Sequence, residues 1–476
     1  QRNKMAYTIE QKPNQLAGAN SPMVFVLKDD DPANYNATKF RYIAQVYISI
    51  QTATTWVEKA KVKVYKNKAN VGIVDVHKIV RSYLETQEKN VGDQETIAGS
   101  IHSIGISDTS NSYSQNTSQL VGVKIVAGYE KSTSATTAPS ETLNQANTII
   151  YSIPATTPYT DTGTNVGGLD IDGTNNPLTN YIPSGATKKF LTNAPTVQFV
   201  RGSSTAGDNI DELTVAFIQD GGSTLITDGD PIVRMYIQYF NSSGVQIGSD
   251  KFFLNDTASG GKATADDVKN SLLYFGCGTA NLQNQVDEPD AQPSDFADWA
   301  YYVIWGADGS GGQETDKYYF YRYGSGASVD DRHQSCTRFD NVRLAWRNRL
   351  GAWDYMNFRG KSTESVDITK SESASVSGSW NSATFTYDNW DRGKNTLYTE
   401  ATRKLTINSD WLNPDEGAWL EELFTATNVQ ILGDSNVVYP VIVTDKRYTK
   451  KTSVNNKIKI QYTINLEYAN KVRTNS

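Results

Sequence analysis

The stretch Tyr42-Ile43-Ala44-Gln45-Val46-Tyr47-Ile48-Ser49-Ile50 decides the fold class of this chain. Its apolar residues are too dense for strict alternation, a pattern typical of a β-strand that is covered on both faces. A little further on, Lys61-Val62-Lys63-Val64-Tyr65-Lys66 alternates cleanly between charged and apolar residues, as a half-exposed strand does. Both stretches predict β-strands, and they set the pattern for the rest of the sequence.

The composition favours the same fold class. The chain has 476 residues with 38% hydrophobic and 20% charged residues, which is unlike a disordered tail, and its length predicts two to four domains. Aromatic residues are abundant, with 27 Tyr, 15 Phe and 9 Trp against only 4 Met. Tyr, Thr and Val suit a pleated, half-buried surface better than a helix. We therefore predict a mainly β protein of several β-sandwich or β-barrel modules with a few short helices.

Further strands are predicted wherever short apolar runs are separated by turn residues. Two helices stand out. One covers 74–86, where Val76, Ile79, Val80, Tyr83 and Leu84 form one apolar stripe. The other covers 414–425, because Asn413-Pro414-Asp415-Glu416 supplies an N-cap, a proline at the first position and a glutamate at the third. The predicted strands are 23–27, 40–50, 62–65, 121–129, 196–200, 213–219, 232–240, 247–254, 299–305, 317–323, 429–432, 438–444 and 457–467.

These elements divide the chain into four segments. Residues 1–130 are predicted to form an N-terminal β-sandwich domain, and 189–337 a central β-sandwich domain. Between them, residues 131–188 are rich in Thr, Ser, Asn and Gly, which indicates a long loop or insertion with room for one strand at 148–153. Residues 338–476 are predicted to form a C-terminal β domain with the one capped helix.

Charge and hydropathy exclude two classes of partner. The formal net charge is −7 with both signs interspersed, whereas a nucleic-acid binder needs a concentrated basic face. No run approaches the roughly 18 apolar residues that a membrane span requires, so no membrane insertion is expected. The first residues carry no apolar stretch, and no signal peptide is expected. Cys277 and Cys336 do not make a disulfide framework, and whether they pair stays open.

The residues that carry catalysis are scarce. His77, His102 and His333 are the whole histidine supply, and no sequence context places a nucleophile beside a base. The two cysteines form neither a Cys-x-x-Cys pair nor a Cys/His cluster of the kind that binds zinc. We therefore predict no enzymatic activity, no catalytic residues, no metal site and no cofactor.

Two aromatic clusters, at 299–305 and 318–323, allow two interpretations. Alternate residues could fill the core while the others face a neighbouring domain or subunit, since Tyr and Trp are favoured at interfaces. Alternatively, exposed rings could stack on sugars. The candidate glycan platform consists of Trp299, Tyr301, Trp305, Tyr319 and Tyr321.

Residues 342–358 contain the pattern W-x-N-x-x-G-x-x-D-x-x-x-F, formed by Trp346, Asn348, Gly351, Asp354 and Phe358. Asn348 and Gly351 lie between two aromatic-rich strands, where an Asn-x-x-Gly turn permits a positive φ. Trp346, Trp353 and Phe358 would then anchor a hairpin-like core.

This pattern resembles a motif of virion structural proteins in tailed bacteriophages. The C-terminal part of the chain looks like the closing domain of phage tail-tip proteins. The resemblance covers the segments 419–424, 429–432, 439–445 and 458–470, which include Trp419, Tyr439 and Pro440. The strands at 22–25 and 39–42 look like the opening domain of such proteins. None of these blocks is a catalytic signature. The candidate structural or interface residues are Trp346, Asn348, Gly351, Trp353, Asp354, Phe358, Trp419, Tyr439 and Pro440.

The resemblance implies a non-enzymatic tail-tip, baseplate or hub-like subunit, assembled in the host cytoplasm and located in the phage tail. Its partners would be other copies of itself, in a ring or trimer, and other tail proteins. The alternative is an adhesin that binds a host-surface glycan through the aromatic clusters and the 131–188 segment. A secreted β-sandwich lectin or hydrolase is a third reading, which the expected lack of a signal peptide disfavours.

Overall fold

The computed structural model describes most of the chain. The described residues are 7–13, 16–50, 55–84, 99–106, 112–116, 119–156, 168–169, 190–219, 232–255, 271–286, 288–323, 339–380, 383–391, 393–433, 437–450 and 460–475. The predicted strand residues 457–459 lie outside this range, as do Cys336, His333 and most of 157–189.

The described part is mainly β, which confirms the predicted fold class. The four α-helices are short except for the last: α1 (Pro32–Tyr35), α2 (His77–Arg81), α3 (Thr279–Asn284) and α4 (Pro414–Thr425). The strands are β1 (Tyr7–Gln11), β2 (Leu16–Gly18), β3 (Val24–Asp29), β4 (Thr38–Ile50), β5 (Val57–Val64), β6 (Val71–Asp75), β7 (Tyr113–Asn116), β8 (Val121–Ser132), β9 (Ser140–Ile153), β10 (Gly168–Leu169), β11 (Val197–Val200), β12 (Thr214–Gln219), β13 (Arg234–Asn241), β14 (Gln246–Leu254), β15 (Ser271–Gly276), β16 (Trp299–Ala307), β17 (Tyr318–Arg322), β18 (Val342–Arg347), β19 (Trp353–Phe358), β20 (Thr363–Ala374), β21 (Lys394–Asn408), β22 (Val429–Leu432), β23 (Val438–Val443), β24 (Thr463–Tyr468) and β25 (Val472–Asn475).

The chain divides into two compact units. The first comprises residues 1–334 and 347–354, and the second comprises 335–346 and 355–476. The second unit begins close to the predicted start of the C-terminal domain at 338. The predicted N-terminal and central domains fall within the first unit.

Two sheets of the first unit form a β-sandwich. One has the order β1-β3-β6, and the other has the order β10-β2-β9-β8-β4-β5. Their shared core contains Phe25 and Leu27 of β3 together with Tyr42, Ala44 and Val46 of β4, all fully buried. The other face of β4 is covered as well, since Ile43 and Gln45 are also buried. The strand that decides the fold class is thus buried on both sides, as its sequence predicts.

The remaining two sheets of the first unit have the orders β11-β17-β16-β13-β14 and β12-β15-β7. Strand β7 comes from the predicted N-terminal domain, yet it pairs antiparallel with β15 of the predicted central domain. The boundary drawn from composition therefore does not separate two independent sheets. A four-residue edge strand such as Tyr113–Asn116 is too short for its sequence to indicate which strand it pairs with.

Two predictions from local patterns need correction. The segment predicted as a helix at 74–86 begins as a strand, because Val74 pairs with Phe25 in the β3–β6 ladder, and of its described residues, 74–84, only His77–Arg81 are α-helical. The Asp75 side chain precedes this helix and accepts hydrogen bonds from the backbone N–H of Met23 and His77. The predicted loop at 131–188 contains the 14-residue strand β9, which pairs with β8.

The second unit contains the sheet β19-β18-β22-β23-β24-β21-β20, with β25 paired to β21. Helix α4 spans the predicted residues, and its predicted start is confirmed in atomic detail. The Asn413 side chain accepts a hydrogen bond from the Glu416 N–H, and the Glu416 carboxylate accepts one from the Asn413 N–H, both at 2.7 Å. The helix buries Trp419, Leu420 and Leu423, whereas Phe424 is half-buried.

Buried tyrosines of the first unit predict a loss of stability at high pH. Burial raises the pKa of Tyr274 to about 12, and its hydroxyl donates a hydrogen bond to Gln119 Oε1 at 2.7 Å. In the unfolded chain a tyrosine has a pKa of about 10. Between these values the unfolded state releases a proton that the folded state keeps, so the free energy of unfolding falls as the pH rises above about 10. Below that pH this contribution is fully present.

We expect the urea midpoint to fall between about pH 9 and pH 11, and to fall less for Tyr274→Phe, which has no phenol proton to lose. Parallel urea titrations of the two proteins at both pH values measure the difference. An equal drop in both proteins would show that Tyr274 does not contribute.

Candidate assembly surfaces

The turn between β18 and β19 is organised by the Asn348 side chain. Its Oδ1 accepts hydrogen bonds from the N–H groups of Leu350 and Ala352 at 3.0 and 3.1 Å. Its Nδ2 donates to the Leu191 carbonyl and to Asp354 Oδ1, both at 2.9 Å. All four hydrogen-bonding positions of this amide are used, and the side chain is only 4% exposed. Asn348 therefore fixes the shape of the turn and ties it to the segment around Leu191.

Gly351 has the positive φ that the Asn-x-x-Gly pattern predicts, at 86°. A Cβ at this position would lie 2.9 Å from the Pro154 carbonyl oxygen, so both the backbone conformation and the space require glycine. Asp354 accepts a 2.6 Å hydrogen bond from the Thr192 hydroxyl, and Trp353 packs edge-on against His102 with ring centroids 4.8 Å apart. The turn residues of the motif are thus buried and have a structural role within the first unit.

The first and last residues of the motif, Trp346 and Phe358, lie in the second unit. Trp346 is fully buried and packs against Trp419 of α4, with ring centroids 4.9 Å apart, and Phe358 is 1% exposed. The sequence pattern does not predict this contact between α4 and β18. Tyr439 and Pro440 of β23 are both exposed, Tyr439 at 45%, so they are surface residues in the isolated chain.

The candidate glycan platform does not form one exposed surface. Trp299 is fully buried and packs against Tyr239 and Tyr302. Trp305 is 6% exposed and stacks on Tyr236. Two of the five predicted residues are therefore corrected to core positions, since a buried indole cannot stack on a sugar.

The other three platform residues, Tyr301, Tyr319 and Tyr321, are half-buried on one face of the five-stranded sheet. Tyr301 lies between two rings, with Tyr321 at 4.6 Å and Phe240 at 4.9 Å, in nearly parallel planes. The faces of the Tyr301 ring that a sugar would need are thus occupied by neighbouring rings. This arrangement stabilises the sheet by cross-strand pairing.

The most exposed apolar surface lies on a β-hairpin that we call the arm, residues 363–408. It consists of β20 and β21, which pair over the full length of β20. All of the first eight residues of β20 are exposed, including Val366 at 47% and Ile368 at 60%. At about 3.3 Å per residue, the twelve residues of β20 span about 40 Å. In the described part of the sheet, β20 has a neighbour only on its β21 side.

The arm tip, residues 375–393, carries four exposed aromatic side chains. Trp380 is 67% exposed, Trp390 78%, Phe385 55% and Tyr387 55%. A fully exposed aromatic side chain presents about 150–250 Å², so at these fractional exposures the four together present roughly 500 Å² of aromatic surface. Monomeric soluble proteins seldom leave this much apolar surface uncovered, and such patches mark interaction sites.

Comparisons with known proteins identify no family for this chain. No protein-family model and no curated protein matches it. Among solved structures, Salmonella α2-macroglobulin that has reacted with methylamine is similar at 8% identity and a TM-score of 0.18, over 96% of this chain and 22% of that protein. A point mutant of the same protein matches at 7% identity and a TM-score of 0.18, over 98% and 38%. The chain thus spans less than half the length of these proteins, and the likeness is too low to carry an argument.

None of the described helices has the length and apolarity of a membrane-spanning helix. No group of three or more His, Cys, Asp or Glu side chains within the described ranges is placed to hold a metal ion.

Proposed function

We propose that this protein is a non-enzymatic assembly subunit, and that it belongs to the tail tip or baseplate of a tailed bacteriophage. In this role it binds other copies of itself and other tail proteins through extended surfaces, and it is assembled in the host cytoplasm. The arm is the observation that supports an assembly role. The resemblance of residues 342–358 and of the C-terminal segments to phage tail-tip proteins supports the phage assignment.

The arm favours an assembly role because it has few buried residues that would stabilise it in the isolated chain. The other edge of β21 pairs with β24 and β25, so only the outer end of the arm, where residues 372–374 pair with 394–396, is two-stranded. A two-stranded ribbon is marginally stable in water, and one that exposes both faces gains little from burial. The ion pairs across the arm, such as Lys404–Asp367 at 2.6 Å, are solvent-exposed and contribute little. Contact with a partner would cover the exposed rings of the tip and the free edge of β20. An exposed strand edge has unpaired N–H and C=O groups that can pair with another chain.

The glycan-binding alternative has less support. Of its five candidate residues, Trp299 and Trp305 are buried, and the face of Tyr301 is covered by its neighbours. Binding of the full chain to host cells or to an array of bacterial surface glycans, abolished by Tyr319→Ala with Tyr321→Ala, would revive this alternative.

Placement in a particle tests the main proposal. Antibodies raised against the full chain should label one end of the tail in purified phage particles, and the chain should be present in multiple copies when tail proteins are quantified by mass spectrometry. Absence of the chain from purified particles would overturn the phage assignment. A chain that stays monomeric at high concentration and captures no tail protein would overturn the assembly role.

A further inference from the structure

The arm tip combines aromatic rings with carboxylates. Asp388 and Asp391 lie on either side of Trp390, and the Asp391 carboxylate accepts a hydrogen bond from the Asp388 N–H at 3.2 Å. Within the described residues, neither carboxylate forms an ion pair. Two charged carboxylates beside the most exposed tryptophan disfavour insertion into a lipid bilayer, where such groups are costly. Aromatic faces and carboxylates together bind cations, through cation–π contacts and ion pairs.

A matching cationic surface lies elsewhere in the second unit. We call residues 446–450 the basic segment, since Lys446, Arg447 and Lys450 are all exposed. Among the described contacts, none of these three side chains has an ion-pair partner. The segment is held in place by Tyr448, whose ring stacks on Tyr462 at 5.4 Å and whose hydroxyl hydrogen-bonds to the Gly417 carbonyl. The three cations are therefore presented on an anchored stretch of backbone.

The basic segment lies at the base of the arm, far from the tip of the same chain. The Tyr462 N–H donates a 2.9 Å hydrogen bond to Ser409 Oγ, and its neighbour Thr463 pairs with Asn408, the last residue of β21. The tip starts at the other end of β21, fourteen residues away, which is about 45 Å in an extended strand. The tip and the basic segment of one chain therefore cannot meet.

We propose that the arm tip of one copy docks on the basic segment of a second copy. Trp390 and Tyr387 would cover the side chains of Lys446 and Arg447, while Asp388 and Asp391 pair with their charges. Because the tip and the basic segment are different surfaces, the contact is head-to-tail, and repeated contacts give a ring if they close. This inference rests on the proposed assembly function and names its partner as the chain itself.

The area is sufficient for a specific interface. Stable interfaces bury about 800 Å² on each partner. The four rings of the tip supply roughly 500 Å² of this, and Val376 beside them, 75% exposed, adds to it. The rings have the composition of an interface core, which is rich in aromatic residues, and the flanking charges have that of its polar rim.

A charge swap in the full chain tests this contact. Sedimentation velocity should show concentration-dependent association of the unmodified protein, weaker at high salt because exposed charge pairs are screened. Asp388→Lys with Asp391→Lys, or Lys446→Glu with Arg447→Glu, should each weaken association at least about tenfold, or about 1.4 kcal/mol. Combining all four substitutions should restore it to within about threefold. Trp390→Ser should weaken association without changing the melting temperature.

Lys68→Glu is the matched control, because Lys68 is also exposed and lies in the first unit, outside both surfaces. It should associate like the unmodified protein. If the chain associates but none of the tip or basic-segment variants weakens it, the docking proposal is wrong and the assembly function stands. If the tip variants self-associate normally but no longer bind a different tail protein, the partner of the tip is not a second copy and the docking proposal is again wrong. A chain that neither self-associates nor captures a tail protein overturns both.

Discussion

Replacing Trp419 with alanine is expected to lower the free energy of unfolding of the second unit by about 3–5 kcal/mol. The indole is 7% exposed and packs against Trp346, itself fully buried, so its removal leaves a cavity beside a second large ring. Neighbouring Leu420 and Leu423 are fully buried on the same helix, which leaves little freedom for the site to collapse around the cavity.

Hydrogen exchange provides a measurement that resolves the two units. The amides of α4, β18 and β22 should exchange faster in Trp419→Ala, while those of β3, β4 and β8 in the first unit should keep their protection. Trp390→Ala is the matched control, since this tryptophan is 78% exposed and should change stability by less than about 0.5 kcal/mol. If the two variants melt alike, the packing of α4 that we describe does not contribute to stability.

The sequence predicts α4 well because its start signal and its apolar stripe are both local. The Asn413–Glu416 capping box involves residues three apart, so no information from elsewhere in the chain is needed to recognise it. The contact of α4 with Trp346 joins residues that are far apart in sequence, and the periodicity of apolar residues along a helix cannot predict such a contact. The same limit applies to β7, whose pairing with β15 follows from the fold rather than from its four residues.

The arm shows why an exposed strand escapes prediction. Sequence patterns reveal a strand through the alternation of buried and exposed residues, and β20 has almost no buried residues to alternate. Its Ser, Thr and Glu residues are typical of a loop. The sequence indicates only the end of β9, at 148–153, for the same reason, since most of the first ten residues of this strand are exposed. Conversely, the aromatic pattern at 299–305 indicated a strand correctly, although it did not distinguish the buried Trp299 and Trp305 from half-exposed Tyr301.

Replacing Asn348 with alanine is expected to cost about 3 kcal/mol, because the change removes four hydrogen bonds and leaves buried groups without a partner. The N–H groups of Leu350 and Ala352 would lose their acceptor and the Leu191 carbonyl would lose this donor, whereas Asp354 would keep the hydrogen bond from the Thr192 hydroxyl. Gly351 still allows the backbone to adopt the turn conformation in the variant. The decrease in the free energy of unfolding therefore measures the contribution of the Asn348 side-chain amide rather than that of the turn conformation.

Asn348→Asp separates the contribution of the Asn348 side chain as an acceptor, through Oδ1, from its contribution as a donor, through Nδ2. The aspartate keeps an acceptor for the two N–H groups, but it places a carboxylate where the amide now donates to Asp354 at 2.9 Å. Repulsion between the two carboxylates should make this variant at least as unstable as the alanine variant near neutral pH, and less so as the pH falls toward the range where carboxylates protonate. Asn389→Ala, at an exposed position in the arm tip, should shift the urea midpoint little. If Asn348→Asp is as stable as the unmodified protein at neutral pH, the donor half of the amide does not hold the turn to Leu191 and Asp354, and the structural role assigned to the motif is wrong.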